Sequence, residues 1–297
     1  MGEIEVEYPT KADRLLFQAQ GRFLTQTDCL DRTVLSELEC PAEHRATGVV
    51  LPRTGDGYTT GLDAGAFDGV LTGSAEGVVA VPIFGPSRSV DIGFVDVGAM
   101  QSRPLDTFDC SLRWLHVSGS VDTTVPATAQ WRCAASAGHR GIATELHALT
   151  EELLVIAVDH SSSRVQFGRP IGSYQSPRHA MAEASALVEG TRALLDEAWR
   201  RRDSFSATLA KIAAGRAHRA VSDVALQVCG AIGLTAEHRL HRYVARGFQL
   251  DSLLGSYRHH EVMLTEELFG EENSEMALPT VVSWNRTAER GGPRTAR

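Results

Sequence analysis

Near residue 130 the sequence changes its hydrophobic rhythm, and the change splits the chain into two kinds of structure. Before it Gly, Asp, Ser, Thr and Val dominate; after it Ala, Leu, Glu, Arg and His take over. In TELHALTEELLVIAVDHSSSR, Leu146, Leu149, Leu153 and Ile156 recur at steps of three and four, which sets them on one face of a helix. HAMAEASALVEGTRALLDEAWRRR repeats the pattern through Met181, Ala184, Leu187, Leu194 and Leu195. SATLAKIAAGRAHRAVSDVALQVCG repeats it through Leu209, Ile212, Val221, Val224 and Val228, and QLDSLLGSYRHHEVMLTEELFG is a fourth candidate. Four amphipathic helices with short connections predict an antiparallel bundle over residues 129–272. From 67 to 128 the short runs GVLTG, GVVAVPIF, VDIGFVDV and SLRWLHVSG alternate with Gly, Pro, Ser and Asp, as in a small antiparallel sheet. Residues 1–66 read as a shortened helical or irregular region, in which LLFQAQGRFLTQ and DCLDRTVLSELEC each suit a short helix and TGDGYTTGLDAGAFDG is turn-rich. The stretch 273–297 loses periodicity and is expected to be a mobile tail. The expected fold class is α+β: a small antiparallel β-domain followed by a four-helix bundle.

Composition removes several functions. Apolar residues make up 43% of the 297 and charged residues 22%, as expected of a chain with a packed core. The net charge of -8, without a basic stripe, argues against nucleic acid as a partner. No run of 18 apolar residues exists, so no membrane span is expected. The opening MGEIEVEYPTKADR has neither the apolar stretch of a secretory leader nor a myristoylation signal, and a cytoplasmic location is expected. Cys29, Cys40, Cys110, Cys133 and Cys229 form no CxxC pair, which suits reduced thiols better than a disulfide framework.

The segment RVQFGRPIGSYQ, residues 164–175, is the first candidate for chemistry. Arg164 and Phe167 stand three apart, on one side of a helix end. Gly168 and Gly172 allow a sharp turn, Pro170 stops a helix, and Gln175 begins the next one. A guanidinium with amides at a bend suits a phosphate or diphosphate; a bend carrying a solvated Arg is the plain structural alternative. A second stretch, QVCGAIGLTAEHRLHRYVAR, follows the third helix.

Together the two stretches resemble the C-terminal signatures of the acyl-CoA dehydrogenase family, R-x-x-F-G-x-x-I-x-x-x-Q and Q-x-x-G-G-x-G-x-x-x-E. The resemblance covers residues 130–270 well and 67–128 loosely. It implies a helical N-terminal domain, a middle β-domain, a C-terminal four-helix bundle, and FAD lying between subunits. On that pattern Arg164, Gln166, Phe167 and Gln175 reach the diphosphate and adenosine of a FAD held mainly by a partner chain, and Gln227, Gly230 and Ala231 lie against the same cofactor.

The sequence departs from the family in three ways. Ala231 replaces a Gly. The base that takes the α-proton in the family stands at Leu254 by one family pattern and near Gly138 by the other, and neither is a carboxylate. Glu145 lies on the same helix, where a solvated carboxylate is the expectation and a base the alternative. The region before the β-like stretch is short for a full helical domain. No catalytic residue is therefore assigned. His238, His241, His259 and His260 lack a carboxylate or Cys at metal spacing and are read as surface or interface residues, so no metal site is assigned either. Asp159-His160 followed by serines is a sequence neighbourhood without triad geometry. RRRD at 200–203 reads as a solvated helix end, and Trp114 and Trp131 as packing residues.

The expected function is a subunit of a heteromeric FAD-dependent acyl-CoA dehydrogenase. It resembles the non-catalytic β-type chains of actinobacterial enzymes that act on steroid side-chain CoA thioesters and assemble as α2β2. The expected partners are a catalytic dehydrogenase chain and an acyl-CoA substrate. The alternative is a FAD-free protein of the same fold, reused as a homo-oligomeric binding protein or a non-redox enzyme.

Overall fold

The computed structural model describes residues 9–38, 45–52, 65–73, 76–85, 88–109, 111–235 and 237–269. The chain divides into two units, Met1–Tyr257 and Arg258–Arg297. The first opens with helices α1 (Pro9–Phe23) and α2 (Cys29–Leu38), the two short helices expected there. Seven strands follow: β1 (Ala46–Pro52), β2 (Ala66–Leu71), β3 (Val78–Phe84), β4 (Val90–Asp96), β5 (Gln101–Pro104), β6 (Leu115–Ser120) and β7 (Thr124–Pro126). They form one sheet in the order β5-β6-β2-β1-β3-β4-β7.

The expectation of an antiparallel sheet is corrected on two counts. Strand β1 lies in the stretch read as helical or irregular, and it pairs with β3 in parallel, from Ala46↔Val78 to Val49↔Ala80. Its apolar run is short enough to read as strand or helix, and pattern alone does not separate them. The alternation along each strand gives the sheet two apolar faces. Val50, Phe67, Leu71, Val79, Val81 and Val117 form a separate cluster on one face. Val49, Leu51, Val70, Ala80 and Ile92 join the larger core shared with the helices.

After β7 come α3 (Thr128–Ser163), α4 (Gln175–Arg201), α5 (Ser204–Cys229) and α6 (Leu240–Ser252), with a short strand pair between α3 and α4. Helix α3 is buried without interruption from Ser136 to Thr150, so all its sides are covered there. It packs against α1, α2, α4, α5 and α6 and is the axis of the unit. The RRRD segment ends α4 with Arg202 in the left-handed region at φ 59° and starts α5 with Asp203, whose carboxylate accepts from Ser206 N at 2.8 Å. Trp114 and Trp131 are buried in the core, as packing residues should be.

The fourth candidate helix is broken. Helix α6 ends at Ser252 and α7 (Tyr257–Phe269) begins five residues later. Leu254 at φ 53° and Gly255 at φ 92° both lie in the left-handed region, which no continuous helix contains. The tail beyond Phe269, Cys40 and Cys110 fall outside the described residues; Cys29, Cys133 and Cys229 are free thiols. Among the described residues no helix is long and apolar enough to cross a membrane.

A buried ionic cluster ties the segments together. Arg246 on α6 is 1% exposed. Its Nε and Nη2 donate to Glu145 Oε1 at 2.9 and 2.6 Å. Its Nη1 donates to Ser111 Oγ at 3.1 Å and stands 3.5 Å from Asp109 Oδ2. Nη2 also donates to the Thr25 carbonyl after α1. Gln20 Nε2 on α1 donates to the second Glu145 oxygen at 2.8 Å. Four parts of the chain, far apart in sequence, thus share one guanidinium.

A second buried carboxylate joins α2 to the sheet. Asp31 Oδ1 accepts from Val49 N on β1 at 2.8 Å, and a Cβ at position 73 would collide with the other oxygen, so the β2–β3 connection needs Gly there. Burial, with a smaller push from Asp28, raises the Asp31 carboxyl from 3.8 to about 6, against the bond from Val49.

Two outcomes follow from these carboxylates. The Asp31 carboxyl holds its proton more tightly folded than unfolded. Its contribution therefore favours the fold near pH 4, weakens as pH rises toward 6, and above that is a penalty of at most roughly 3 kcal/mol. Asp31→Asn should lose or gain little at pH 4 and become relatively more stable by pH 7.5; denaturant midpoints that differ by a constant amount across that range would refute this. Arg246→Met should cost about 3–5 kcal/mol in urea unfolding, because Glu145 and Asp109 stay buried without their cation. Glu145→Gln should restore part of the loss when combined with it.

Candidate functional site

The first motif does not form a helix end followed by a tight turn. Helix α3 stops at Ser163, and Arg164 has extended backbone at φ -74°, ψ 114°. Residues Val165–Gln166 (β8) and Arg169–Pro170 (β9) then pair as a small β-hairpin. The reading that put Arg164 and Phe167 on one side of a helix is corrected accordingly: two residues per strand are too few for a strand pattern to be seen. The tip is Phe167 at φ 51° and Gly168 at φ 83°. Ile171 N donates to Arg164 O at 2.9 Å and closes the base of the hairpin.

The hairpin stands away from its own chain. Phe167 is 93% exposed. Its ring meets Tyr174 edge to face, with centroids 6.5 Å apart. Arg164 has no carboxylate within ion-pair distance among the described residues, and Gln166 and Gln175 are exposed amides, the latter at the first position of α4. In the second motif Gln227 is exposed on α5, Gly230 caps that helix at φ 63°, ψ -147°, and Ala231 is exposed in the 3-10 turn Gly230–Leu234. Gly230 is required by its backbone, since a side chain is strained at that φ.

The end of α3 and the segment after the second motif approach each other. Burial lowers the His160 pKa, and the charges of His238 and Arg164 lower it further. His238 Nδ1 accepts from Leu240 N at 3.3 Å at the start of α6, and His241 Nδ1 donates to His238 O at 2.6 Å. Both histidines are thus engaged with backbone. No group of three or more His, Cys, Asp or Glu among the described residues could hold a metal ion.

The two positions where the family resemblance places a base meet in space. A Cβ built on Gly138 of α3 would lie 2.5 Å from Leu254 Cδ1, 3.4 Å from Val34 Cγ2 and 3.8 Å from Leu30 Cδ1. Leu254 itself is 1% exposed. The shared place is filled with hydrocarbon from α2 and from the break after α6. The break is rigidly held. Lys211 of α5, fully buried, donates to Asp251 O at 2.7 Å, Asp251 Oδ1 at 3.1 Å and Gly255 O at 3.1 Å. Burial pulls its pKa down while Asp251 opposes the shift. His139 Nε2 lies 3.2 Å from Leu254 O.

Glu145 corrects another expectation. It is not a solvated helix residue but a buried one, and its oxygens are spent on Arg246 and Gln20. Burial pushes its carboxyl up against the pull of Arg246. Sequence reasoning passed over Tyr174, Arg169, Lys211 and Arg246. Only Tyr174 had any signal, as an aromatic directly before Gln175; the other roles depend on partners distant in sequence or on a stack.

Residues 137–254 match the family described as acyl-CoA dehydrogenase, C-terminal domain. Acyl-CoA dehydrogenase IpdE2 of Mycolicibacterium smegmatis is 37% identical over 128 residues, covering 43% of this chain and 41% of that protein. The chain thus spans about two fifths of that relative's length. The ChsE4-ChsE5 complex from Mycobacterium tuberculosis superposes with a TM-score of 0.72 at 18% identity, over 86% of this chain and 79% of that one. A steroid ACAD variant, Tcur3481-Tcur3483, gives 0.72 at 20% identity over 86% and 80%. The α+β fold is that of these proteins, and residues 137–254 are similar to the acyl-CoA dehydrogenase C-terminal domain.

Proposed function

We propose that this chain is a subunit of a heteromeric FAD-dependent acyl-CoA dehydrogenase, helping to hold a FAD bound mainly by a partner chain and taking no proton itself. The observation that carries the reading is the contact between Leu254 and Gly138. Both places where a family carboxylate would stand are occupied by one leucine side chain and a glycine, and neither group accepts a proton. The partner is then the chain that brings the base.

The remaining residues suit a dinucleotide. Arg164, without an ion-pair partner among the described residues, offers its guanidinium to a diphosphate. Gln166, Gln175 and Gln227 offer amides, Phe167 an uncovered aromatic face, and Gly230 a backbone free of side chain. All of these residues, with Ala231, are exposed, as they would be if a second chain closed the site. FAD, when bound, supplies the acceptor for the hydride removed in α,β-dehydrogenation of an acyl-CoA thioester. The likeness to the ChsE4-ChsE5 complex and to a steroid ACAD supports a two-chain assembly, α2β2 among the arrangements, and a steroid side-chain thioester as substrate.

Two measurements test the reading. Purified alone the chain should be colourless; co-purified with a full-length dehydrogenase chain that carries the base, the pair should be yellow with flavin absorbance. A flavin-loaded chain on its own, or one that never co-purifies with such a partner, refutes the reading. In the pair, Arg164→Ala should weaken FAD retention about ten- to a hundredfold, the value of one charge-assisted hydrogen bond, with the circular dichroism of the helices unchanged.

A further inference from the structure

We propose that Tyr174 is a positioning residue, whose hydroxyl locks the Val165–Pro170 hairpin into the shape that presents Phe167 to the second chain. The inference rests on the reading above, in which this hairpin docks on the cofactor-bearing partner.

The hairpin has too little pairing to hold its own shape. Its ladder consists of Val165↔Pro170 and Gln166↔Arg169, far short of what an isolated hairpin needs in water. Its tip is also an unfavourable one. Phe167 and Gly168 both have positive φ, the two-residue turn that Asn-Gly fills best. A bulky residue resists the left-handed region. Something outside the ladder must hold this conformation.

Tyr174 does so with every part of its side chain. The hydroxyl lies 3.1 Å from Gln166 O and 3.2 Å from Phe167 O, sharing its proton between the carbonyls of the strained turn. The Arg169 guanidinium covers the ring at 4.1 Å from its centroid, and the Phe167 ring meets it edge to face. The tyrosine is in turn fixed from below. Its N donates to Ile171 O at 3.1 Å, and Ser173 Oγ donates to Pro170 O at 2.7 Å.

These contacts leave the hairpin largely open. Residues 164–170 all remain exposed. A segment held in a strained shape, with its aromatic tip uncovered, is preorganised for something beyond its own chain, and preorganisation removes an ordering cost from binding. If the hairpin loosens, only the fraction still in the docking shape binds, and apparent affinity falls by that fraction.

Tyr174→Phe separates the hydroxyl from the ring, since the stack and the edge contact survive. In the full chain alone, trypsin cleavage after Arg164 should be several-fold faster than in the parent, with the thermal midpoint unchanged. In surface-plasmon measurements against the co-expressed dehydrogenase chain, the association rate should fall about three- to tenfold while dissociation is unchanged. Equal cleavage rates would remove the clamp, and faster cleavage with an unchanged association rate would remove its role in docking; either overturns this proposal alone. A parent chain that pairs with no dehydrogenase chain overturns the functional reading as well.

Discussion

A guanidinium taken out of water must have its N–H groups answered and its charge balanced, or the fold pays several kcal/mol. Arg246 meets both demands by drawing in α1 through Thr25, α3 through Glu145 and the β5–β6 connection through Ser111 and Asp109. The sheet and the bundle are therefore joined by a directional contact as well as an apolar one. Apolar packing alone tolerates sliding; a guanidinium with fixed donors does not. This fixes where α6 ends relative to α3, and so where Leu254 falls against Gly138.

The two ends of α3 are covered in different ways. On one side the break after α6 is held by Lys211, which has three acceptors and no solvent access, and the place facing α3 is packed with Leu30, Val34 and Leu254. On the other side the hairpin and the turn after α5 stand open, with Phe167 uncovered. The closed region and the open one sit toward opposite ends of the same helix, α3.

Much of the architecture could be read from the chain itself. The steps of three and four through Leu146, Leu149, Leu153 and Ile156 located α3, because a helix face is written in local spacing. The runs GVVAVPIF and VDIGFVDV located β3 and β4 for the same reason. The two family motifs mark the connection between α3 and α4 and the turn after α5, where Arg164 and Gly230 stand. What stayed hidden is non-local. Glu145 has the appearance of any helix glutamate until Arg246, a hundred residues on, is seen beside it. The parallel pairing of β1 with β3 leaves no mark on either strand, and a ladder of two residue pairs in the hairpin is shorter than any periodicity. The break in the last bundle helix depends on Leu254 adopting a conformation its residue type disfavours.

The sequence order of the Arg246 contacts has a bearing on biosynthesis. Gln20, Thr25, Asp109, Ser111 and Glu145 all leave the ribosome before the guanidinium that unites them. Until α6 emerges, the growing polypeptide holds two carboxylates destined for the interior with no cation to neutralise them, and sealing the core around them is unfavourable. Closure of the core around Glu145 and Asp109 is thereby coupled to the arrival of α6, which begins about four fifths of the way along the chain.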